Sequence, residues 1–245
     1  MQRWKITVEY DGGPYVGWQR QENGASVQAA LQTAIFKFSG EDVIVQGSGR
    51  TDSGVHALAQ VAHFDLERKI TELKMREALN FHMKNQPIAI LLAEEVDEGF
   101  HARFDAKERA YLYRISDRRA KPTLDFGRVW HVHTPLDVEA MHEAAQVLVG
   151  LNDFTSFRAK ECQAKSPIKT LDKLNVARVD AEIHITAVAK SFLHHQIRNF
   201  AGTLHLVGTG KWDKARVQHA LDAKDRRSGG PTAPPDGLYL TRIEY

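Results

Sequence analysis

The sequence predicts a mixed α/β fold of the α+β class, organised in two halves. Segments that alternate apolar and polar side chains, as half-buried strands do, take turns with segments that have the apolar spacing of helices. Residues 106–245 repeat this style without repeating the sequence of residues 1–105. The division near residue 105 coincides with a change in charge, because residues 1–105 hold 11 Lys/Arg and 15 Asp/Glu, whereas residues 106–245 hold 22 and 16.

In the first half, a strand begins close to the N-terminus. Residues 4–10 alternate apolar and polar side chains, and a turn rich in Gly and Pro follows them. Ser26 is a suitable cap for a helix that ends at Gly40. The other elements predicted for this half are a short strand at 43–45, a strand at 61–66, a helix at 71–81 and a buried strand at 88–93.

In the second half, two helices have clear boundaries. Asp137 can cap a helix that runs to about Val149, before Gly150. A second helix with one apolar face runs from Leu193 to Val207. Strands are predicted at 111–116, 174–179, 183–188 and 238–243, and residues 225–237 predict a basic loop rich in Gly and Pro.

The composition excludes several classes of protein. Apolar residues make up 42% of the chain and charged residues 26%, which is ordinary for a globular protein. No stretch of 18 apolar residues occurs, and the N-terminal segment lacks the features of a signal peptide, so we expect a cytoplasmic protein without a membrane partner. Cys162 is the only cysteine, which excludes an intrachain disulfide and a multi-cysteine metal site. The net charge of +2 is weak evidence for a nucleic-acid partner. The basic second half could face a polyanion, but charge alone favours an uneven solvated surface.

Residues 47–57 combine three glycines with Arg50 and Asp52. Glycine permits backbone angles closed to other residues and lets a ligand approach closely. The same composition is common in turns. The spacing of a phosphate-binding loop, with its lysine, is missing. Composition alone therefore favours a turn over an active site.

The stretch Gly49-Arg50-Thr51-Asp52-Ser53-Gly54-Val55-His56-Ala57 resembles the signature of the tRNA pseudouridine synthase A family. Further stretches similar to that family occur in the same order along the chain, before and after the signature. They lie at 10–12 with 17–19, at 100–104, 111–113, 154–158 and 192–199. The resemblance covers residues 10–245, and the ordered set of motifs makes it specific. The chain departs from the family at 81–88, where a Leu-Pro run is usual.

The resemblance implies an isomerase that converts uridine to pseudouridine in the anticodon stem-loop of tRNAs, at positions 38 to 40. It implies a homodimer that needs no cofactor. It also implies two α/β halves with antiparallel sheets, joined across a pseudo-twofold axis with the active-site cleft between them. By their places in the motifs, Asp52 is the catalytic carboxylate that attacks the target nucleotide and Arg198 is its neighbour. Tyr111 contacts the target base, and Arg50 matches an arginine associated with base extrusion.

The chemistry agrees with these roles. Breaking a glycosidic bond builds positive charge on the sugar, which a carboxylate stabilises or traps. Whether Asp52 attacks the sugar or the uracil ring stays open. An adjacent arginine keeps a carboxylate ionised, and a tyrosine ring offers a stacking surface worth about 1–3 kcal/mol per base. We expect Asp52 within ion-pair reach of Arg198 and open to solvent beside Tyr111, with Tyr113 as a buried support.

Two other functions remain as alternatives, a non-catalytic RNA-binding module and a metal-dependent hydrolase. His131 and His133 would share one face of a strand, and His194 and His195 are adjacent. Neither pair has a third ligand at a typical spacing, so we expect no metal. Cys162 lacks the local signature of a catalytic nucleophile.

Overall fold

The computed structural model describes residues 1–245, with eleven strands and five α-helices in mixed order, which confirms the predicted α+β class. The strands are β1 (Gln2–Tyr10), β2 (Gln46–Gly47), β3 (His56–Leu66), β4 (Ile88–Val96), β5 (Glu108–Ser116), β6 (Trp130–His131), β7 (Gly150–Asp153), β8 (Ile168–Leu171), β9 (Lys173–Val179), β10 (Glu182–Ala189) and β11 (Leu238–Glu244). The helices are α1 (Val27–Ser39), α2 (Glu72–His82), α3 (Val138–Ala145), α4 (Gln196–Gly208) and α5 (Lys214–Asp222). None of these helices has both the length and the apolar character that crossing a membrane requires.

The chain forms two compact units. Unit 1 comprises residues 1–107 and 239–245, and unit 2 comprises residues 108–238. The C-terminal residues belong to unit 1 because β11 runs parallel to β3, with Tyr239 opposite His56. The sequence grouped these residues with the second half, since a pairing between segments so far apart leaves no local pattern. The division of roles between residues 1–105 and 106–245 stays a prediction.

Unit 1 is built on a sheet with the strand order β4-β1-β3-β11. β1 lies in the middle and pairs antiparallel with both β3 and β4. Its inward-facing side chains Trp4, Ile6 and Val8 are fully buried, as the alternating pattern predicted. Ser26 caps the start of helix α1, because its side chain accepts the N–H of Ala29, and Gly40 caps the end with a φ of 80°. Both predicted caps are therefore confirmed.

Residues 43–45 are not a strand, so that prediction was wrong. Side chains of α1 take the carbonyl groups that a neighbouring strand would use. Gln32 Nε2 donates to Val43 O at 2.8 Å, and Gln28 Nε2 donates to Val45 O at 2.7 Å. The backbone is satisfied without a ladder, and strand pairing begins only at Gln46.

Unit 2 is built on an antiparallel sheet with the order β5-β10-β9. β9 and β10 form the predicted hairpin, and Asp180 in its turn adopts a φ of 51°. The long strand pairings of both units are antiparallel, as expected. The parallel pairings β11–β3 and β5–β6 involve two residue pairs each. β7 and β8 form a separate two-stranded sheet.

The helices of unit 2 follow the predicted positions with shifted ends. Asp137 caps the start of helix α3, because its side chain accepts the N–H of Ala140. A 3₁₀ turn at Gln146–Leu148 replaces the last predicted turn of this helix. Helix α4 begins at Gln196 rather than Leu193, because the Gln196 side chain accepts the Leu193 N–H at 2.8 Å. Helix α5 was not predicted; it is short, and it buries only Val217, Ala220 and Leu221.

The motif at 100–104 is held by His63, a residue of β3. His63 is 2% exposed, and its Nδ1 accepts the N–H of Ala102 at 3.2 Å. Its ring meets the ring of His101 edge-on at 4.7 Å. Burial lowers the pKa of His63 to about 4, and the charges of His101 and Arg3 act in the same direction. The native state thus holds a neutral imidazole in this position.

Replacing Gly202 of α4 by alanine should destabilise the protein. An alanine gains about 1 kcal/mol of helix propensity. However, its Cβ would lie 1.8 Å from the carbonyl oxygen of Pro231, and this overlap with backbone costs more than the gain. We expect a thermal melt of Gly202→Ala to show a Tm lower by about 2–4 °C for each kcal/mol lost. Gly99→Ala is the control, since its Cβ meets nothing within 4 Å. Equal melting of the two variants would contradict the prediction.

Acidification should weaken the fold through His63. Its pKa is about 4 in the native state and about 6.5 in an unfolded chain, so protons favour the unfolded state as the pH falls between these values. We expect the free energy of unfolding, measured by urea denaturation, to fall more steeply from pH 7 to 4.5 in the wild type than in His63→Gln. The variant keeps an acceptor for Ala102 but does not titrate. Parallel pH profiles would show that His63 makes no such contribution.

Candidate functional site

The loop between β2 and β3 carries Asp52, and its first residues are fastened to β3. The Ser48 N–H donates to Val61 O at 2.8 Å. Gln60 Nε2 donates to Gly49 O at 3.0 Å, and the Ser48 hydroxyl donates to Gln60 Oε1 at 2.6 Å. These hydrogen bonds join buried or partly buried groups, which need such partners because water does not reach them. They therefore fix the path of the backbone at the start of the loop.

A segment that follows β1 holds the same loop on both sides of Asp52. The Trp18 N–H donates to Thr51 O at 3.2 Å, and the Gly54 N–H donates to Tyr15 O at 3.3 Å. These are backbone hydrogen bonds, which do not depend on long side chains being ordered. The motif at 10–19 and the signature motif therefore form a single piece of structure.

Two glycines of that segment make the close packing possible. A Cβ at Gly12 would lie 2.0 Å from Val55 O. Gly17 adopts a φ of 110°, and a Cβ there would lie 2.5 Å from Thr51 O. Any other residue would push the two segments apart. Sequence reasoning attached meaning to the glycines of the signature and missed the role of these two.

His56 is a buried anchor where the loop enters β3. It is 2% exposed, and its ring stacks on Tyr239 with centroids 4.7 Å apart and planes 22° apart. Its Nδ1 accepts the Gly12 N–H at 3.1 Å and lies 3.1 Å from Asp11 Oδ1. Sequence reasoning gave His56 no role, although its place in the signature was the available signal.

The side chains of Asp52 and Arg50 lie at the surface of this loop. Asp52 is partly exposed and Arg50 is exposed. The Val55 N–H donates to Asp52 O at 3.2 Å, so the segment also contains the turn that its composition predicted. A partly exposed carboxylate on a fixed turn is reachable by a substrate from solvent.

In unit 2, two tyrosines of β5 share a face but differ in their surroundings. Tyr111 is 8% exposed, and its ring meets Phe192 edge-on at 5.2 Å. Tyr113 is 0% exposed, and its hydroxyl donates to Pro234 O at 2.7 Å. Burial raises the pKa of Tyr113 well above its usual range. Tyr113 is therefore a buried support, as the sequence predicts.

Arg198 lies in the first turn of α4 and is partly exposed. Its Nε donates to Ala233 O at 2.8 Å, and the Ala233 N–H donates back to Arg198 O at 3.0 Å. The loop at 225–237, which the sequence predicted to be basic, is thus docked on α4 beside Arg198.

The motif at 154–158 packs against the same end of α4. The rings of Phe154, Phe157 and Phe200 lie 5.2–6.4 Å apart and are fully buried. Asn199 Nδ2 donates to Phe157 O at 2.8 Å. Two motifs that are distant in sequence therefore share one core, which fixes the start of the helix that carries Arg198.

The two histidine pairs, considered as metal ligands in the sequence, have different contacts. The rings of His131 and His133 lie 4.4 Å apart. His131 Nε2 lies 2.7 Å from Arg118 O, a hydrogen bond that engages a nitrogen a metal would need. The rings of His194 and His195 lie 4.0 Å apart.

Known proteins similar to this chain agree on one family. The family model described as tRNA pseudouridine synthase matches residues 6–105 and 144–245. A tRNA pseudouridine synthase A of Rhodospirillum centenum is 60% identical over 245 residues, which is the whole of both chains. The protein of that name from Rhodospirillum rubrum is 58% identical over all of this chain and 88% of its own. The one from Parvibaculum lavamentivorans is 55% identical over the whole of both chains. Because both kinds of match extend over most or all of its length, the chain belongs to the tRNA pseudouridine synthase family.

Proposed function

We propose that this protein isomerises uridine to pseudouridine in the anticodon stem-loop of tRNAs, at positions 38 to 40, with Asp52 as the nucleophile. Membership of the family makes it an isomerase that acts on tRNA. One observation carries the assignment of Asp52: a partly exposed carboxylate stands on a loop whose backbone is hydrogen-bonded on both sides of it. A nucleophile held in one orientation needs less ordering when its substrate arrives.

The reaction explains why a carboxylate is needed. The bond between the sugar and the uracil nitrogen must break, and the same base must rejoin the sugar through carbon. Cleavage builds positive charge on the sugar, which Asp52 can stabilise or trap covalently. Attack on the uracil ring is the other route, and the proposal includes both. Both routes require the carboxylate of Asp52 to be ionised. We assign to Arg198 the role of keeping it ionised.

The base must leave its stack before it can react. Arg50 is exposed on the same loop, two residues before Asp52, and we assign it to base extrusion. Tyr111 has a ring position set by its edge-on contact with Phe192, and we assign it to the extruded base. An aromatic ring held in place offers a stacking surface at little entropic cost.

The state of the protein in the cell is part of the same proposal. The family resemblance implies a homodimer that needs no cofactor. The composition suits a cytoplasmic protein, and the spacing of the histidines suits a protein without a metal. Residues 1–105 would contribute the Asp52 loop, and residues 106–245 the strand with Tyr111 and the helix with Arg198. The excess of positive charge in the second half suits a polyanionic substrate.

Asp52→Asn tests the central assignment. The substitution keeps the size of the side chain but removes its charge and its nucleophilic oxygen. We expect pseudouridine formation in tRNA to be lost while tRNA binding persists, as measured by chemical mapping of pseudouridine and by a filter-binding assay. Asp42→Asn, an exposed acid of the same unit, should stay fully active. Full activity of Asp52→Asn would refute the proposal. A wild-type protein that binds tRNA without isomerising it would instead indicate a non-catalytic RNA-binding module.

Substitutions of the two tyrosines of β5 should have different effects on kcat/KM and on the Tm. Tyr111→Ala removes a stacking surface worth about 1–3 kcal/mol, so kcat/KM should fall by about 5- to 150-fold. Tyr113→Phe removes a hydrogen bond to Pro234 and should lower the Tm through a loss of about 1 kcal/mol, with little change in kcat/KM. A larger kinetic defect in Tyr113→Phe than in Tyr111→Ala would reverse the assignment.

A further inference from the structure

Arg226 is a half-buried cation whose hydrogen bonds all go to uncharged groups. Its Nη1 donates to Gly230 O at 2.8 Å. Its Nη2 donates to Asn199 Oδ1 at 3.0 Å and to Thr232 Oγ1 at 3.1 Å. Burial lowers the pKa of Arg226, and no carboxylate acts against this. Removing a charge from water without a counter-charge costs free energy of folding. A role in binding an anion would account for keeping an arginine at this position.

The next residue shows the ordinary arrangement of a surface arginine. The side chain of Arg227 is 91% exposed and lies 2.8 Å from Asp225 Oδ2. The hydrogen bond from Arg227 lowers the pKa of Asp225. The nearby carboxylate is thus engaged by the exposed arginine, while the more buried one keeps its full positive charge.

Arg226 contacts the same segment as Arg198, which belongs to the proposed site. Arg226 and Arg198 both donate to carbonyl groups of the segment 230–233. Asn199, which accepts from Arg226, follows Arg198 in α4 and is fully buried. The position of the guanidinium is therefore set by the same helix turn that sets the position of Arg198.

We propose that Arg226 is a binding site for a phosphate group of the tRNA backbone near the target uridine. A guanidinium has five N–H donors, and three are used within the protein, which leaves two for phosphate oxygens. The phosphate supplies the negative charge that the fold leaves out. Because the side chain is ordered by its hydrogen bonds, binding requires little further loss of its freedom. The inference rests on the proposed function, since it requires a polyanionic substrate.

A purely structural role for Arg226 makes a different prediction. In that case Arg226 would only fasten the segment 230–233 to Asn199. Its removal would then lower the Tm, but the salt dependence of tRNA binding would not change. The two roles can therefore be separated by measuring affinity at several salt concentrations.

The experiment compares tRNA binding by the wild type, Arg226→Gln and Arg227→Gln between 50 and 200 mM salt. Loss of one phosphate contact reduces the slope of log K against log salt by about 0.7–0.9. The affinity deficit of Arg226→Gln should therefore narrow about threefold over this range. Arg227→Gln is the matched control and should keep the wild-type slope. A wild-type slope in Arg226→Gln, or an equal reduction in Arg227→Gln, would overturn the proposal.

A second variant covers the case in which Arg226→Gln does not fold. Thr232→Asp places a carboxylate where a hydroxyl lies 3.1 Å from Arg226. The variant loses the hydrogen bond from this hydroxyl to Asn199 Oδ1, but it gains an ion pair with Arg226 and residue 232 is exposed, so the protein should still fold. We expect the same reduced slope, and a wild-type slope would overturn the phosphate site. Pseudouridine formation by the wild type on the same tRNA separates the two proposals. An inactive wild type overturns the proposed function, whereas an active wild type with unchanged slopes in the variants overturns only the phosphate site.

Discussion

The close approach of two backbone segments at Gly12 and Gly17 is the constraint on which the Asp52 loop depends. Carbonyl oxygens of Val55 and Thr51 occupy the space that side chains at these glycines would need. The hydrogen bonds that flank Asp52 reach their partners only because this space is free. A carboxylate on an ordinary surface turn would sample many positions, and each would have to be excluded when the substrate binds. Here folding has already excluded them.

Unit 2 fixes the start of α4, which carries Arg198, in a similar way. The segment 230–233 lies directly on α4, where Gly202 presents no Cβ to the Pro231 carbonyl. That contact brings carbonyl groups within reach of Arg198 and Arg226, which hold the segment through hydrogen bonds. Two buried anchors, one in each unit, thus consist of backbone packed on backbone. Such contacts fix the course of the backbone without depending on the order of long side chains.

The sequence predicted correctly those elements whose ends are determined by residues at the ends themselves. The caps of α1 and the turn of the β9–β10 hairpin were predicted because one residue at each end carries the information. The prediction of a strand at 43–45 was wrong because two glutamines of α1, 17 and 11 residues earlier in the chain, donate to the carbonyl groups of these residues. The pairing of Tyr239 and Leu240 with β3 could not be predicted either, since their partners lie about 180 residues away in the chain. Tertiary contacts decided both cases, and periodicity does not report them.

For the candidate site, too, the sequence indicated residues but not the tertiary contacts around them. Motif register was enough to select Asp52 and Arg198, but it said nothing of what holds them. In the sequence, Arg226 and Arg227 are two equal members of a basic loop. In the structure their surroundings differ, because Arg227 pairs with Asp225 whereas Arg226 donates to neutral groups. An excess of positive charge in a chain is therefore a poor guide to where RNA binds. The informative charges are those that the fold has ordered and has not neutralised.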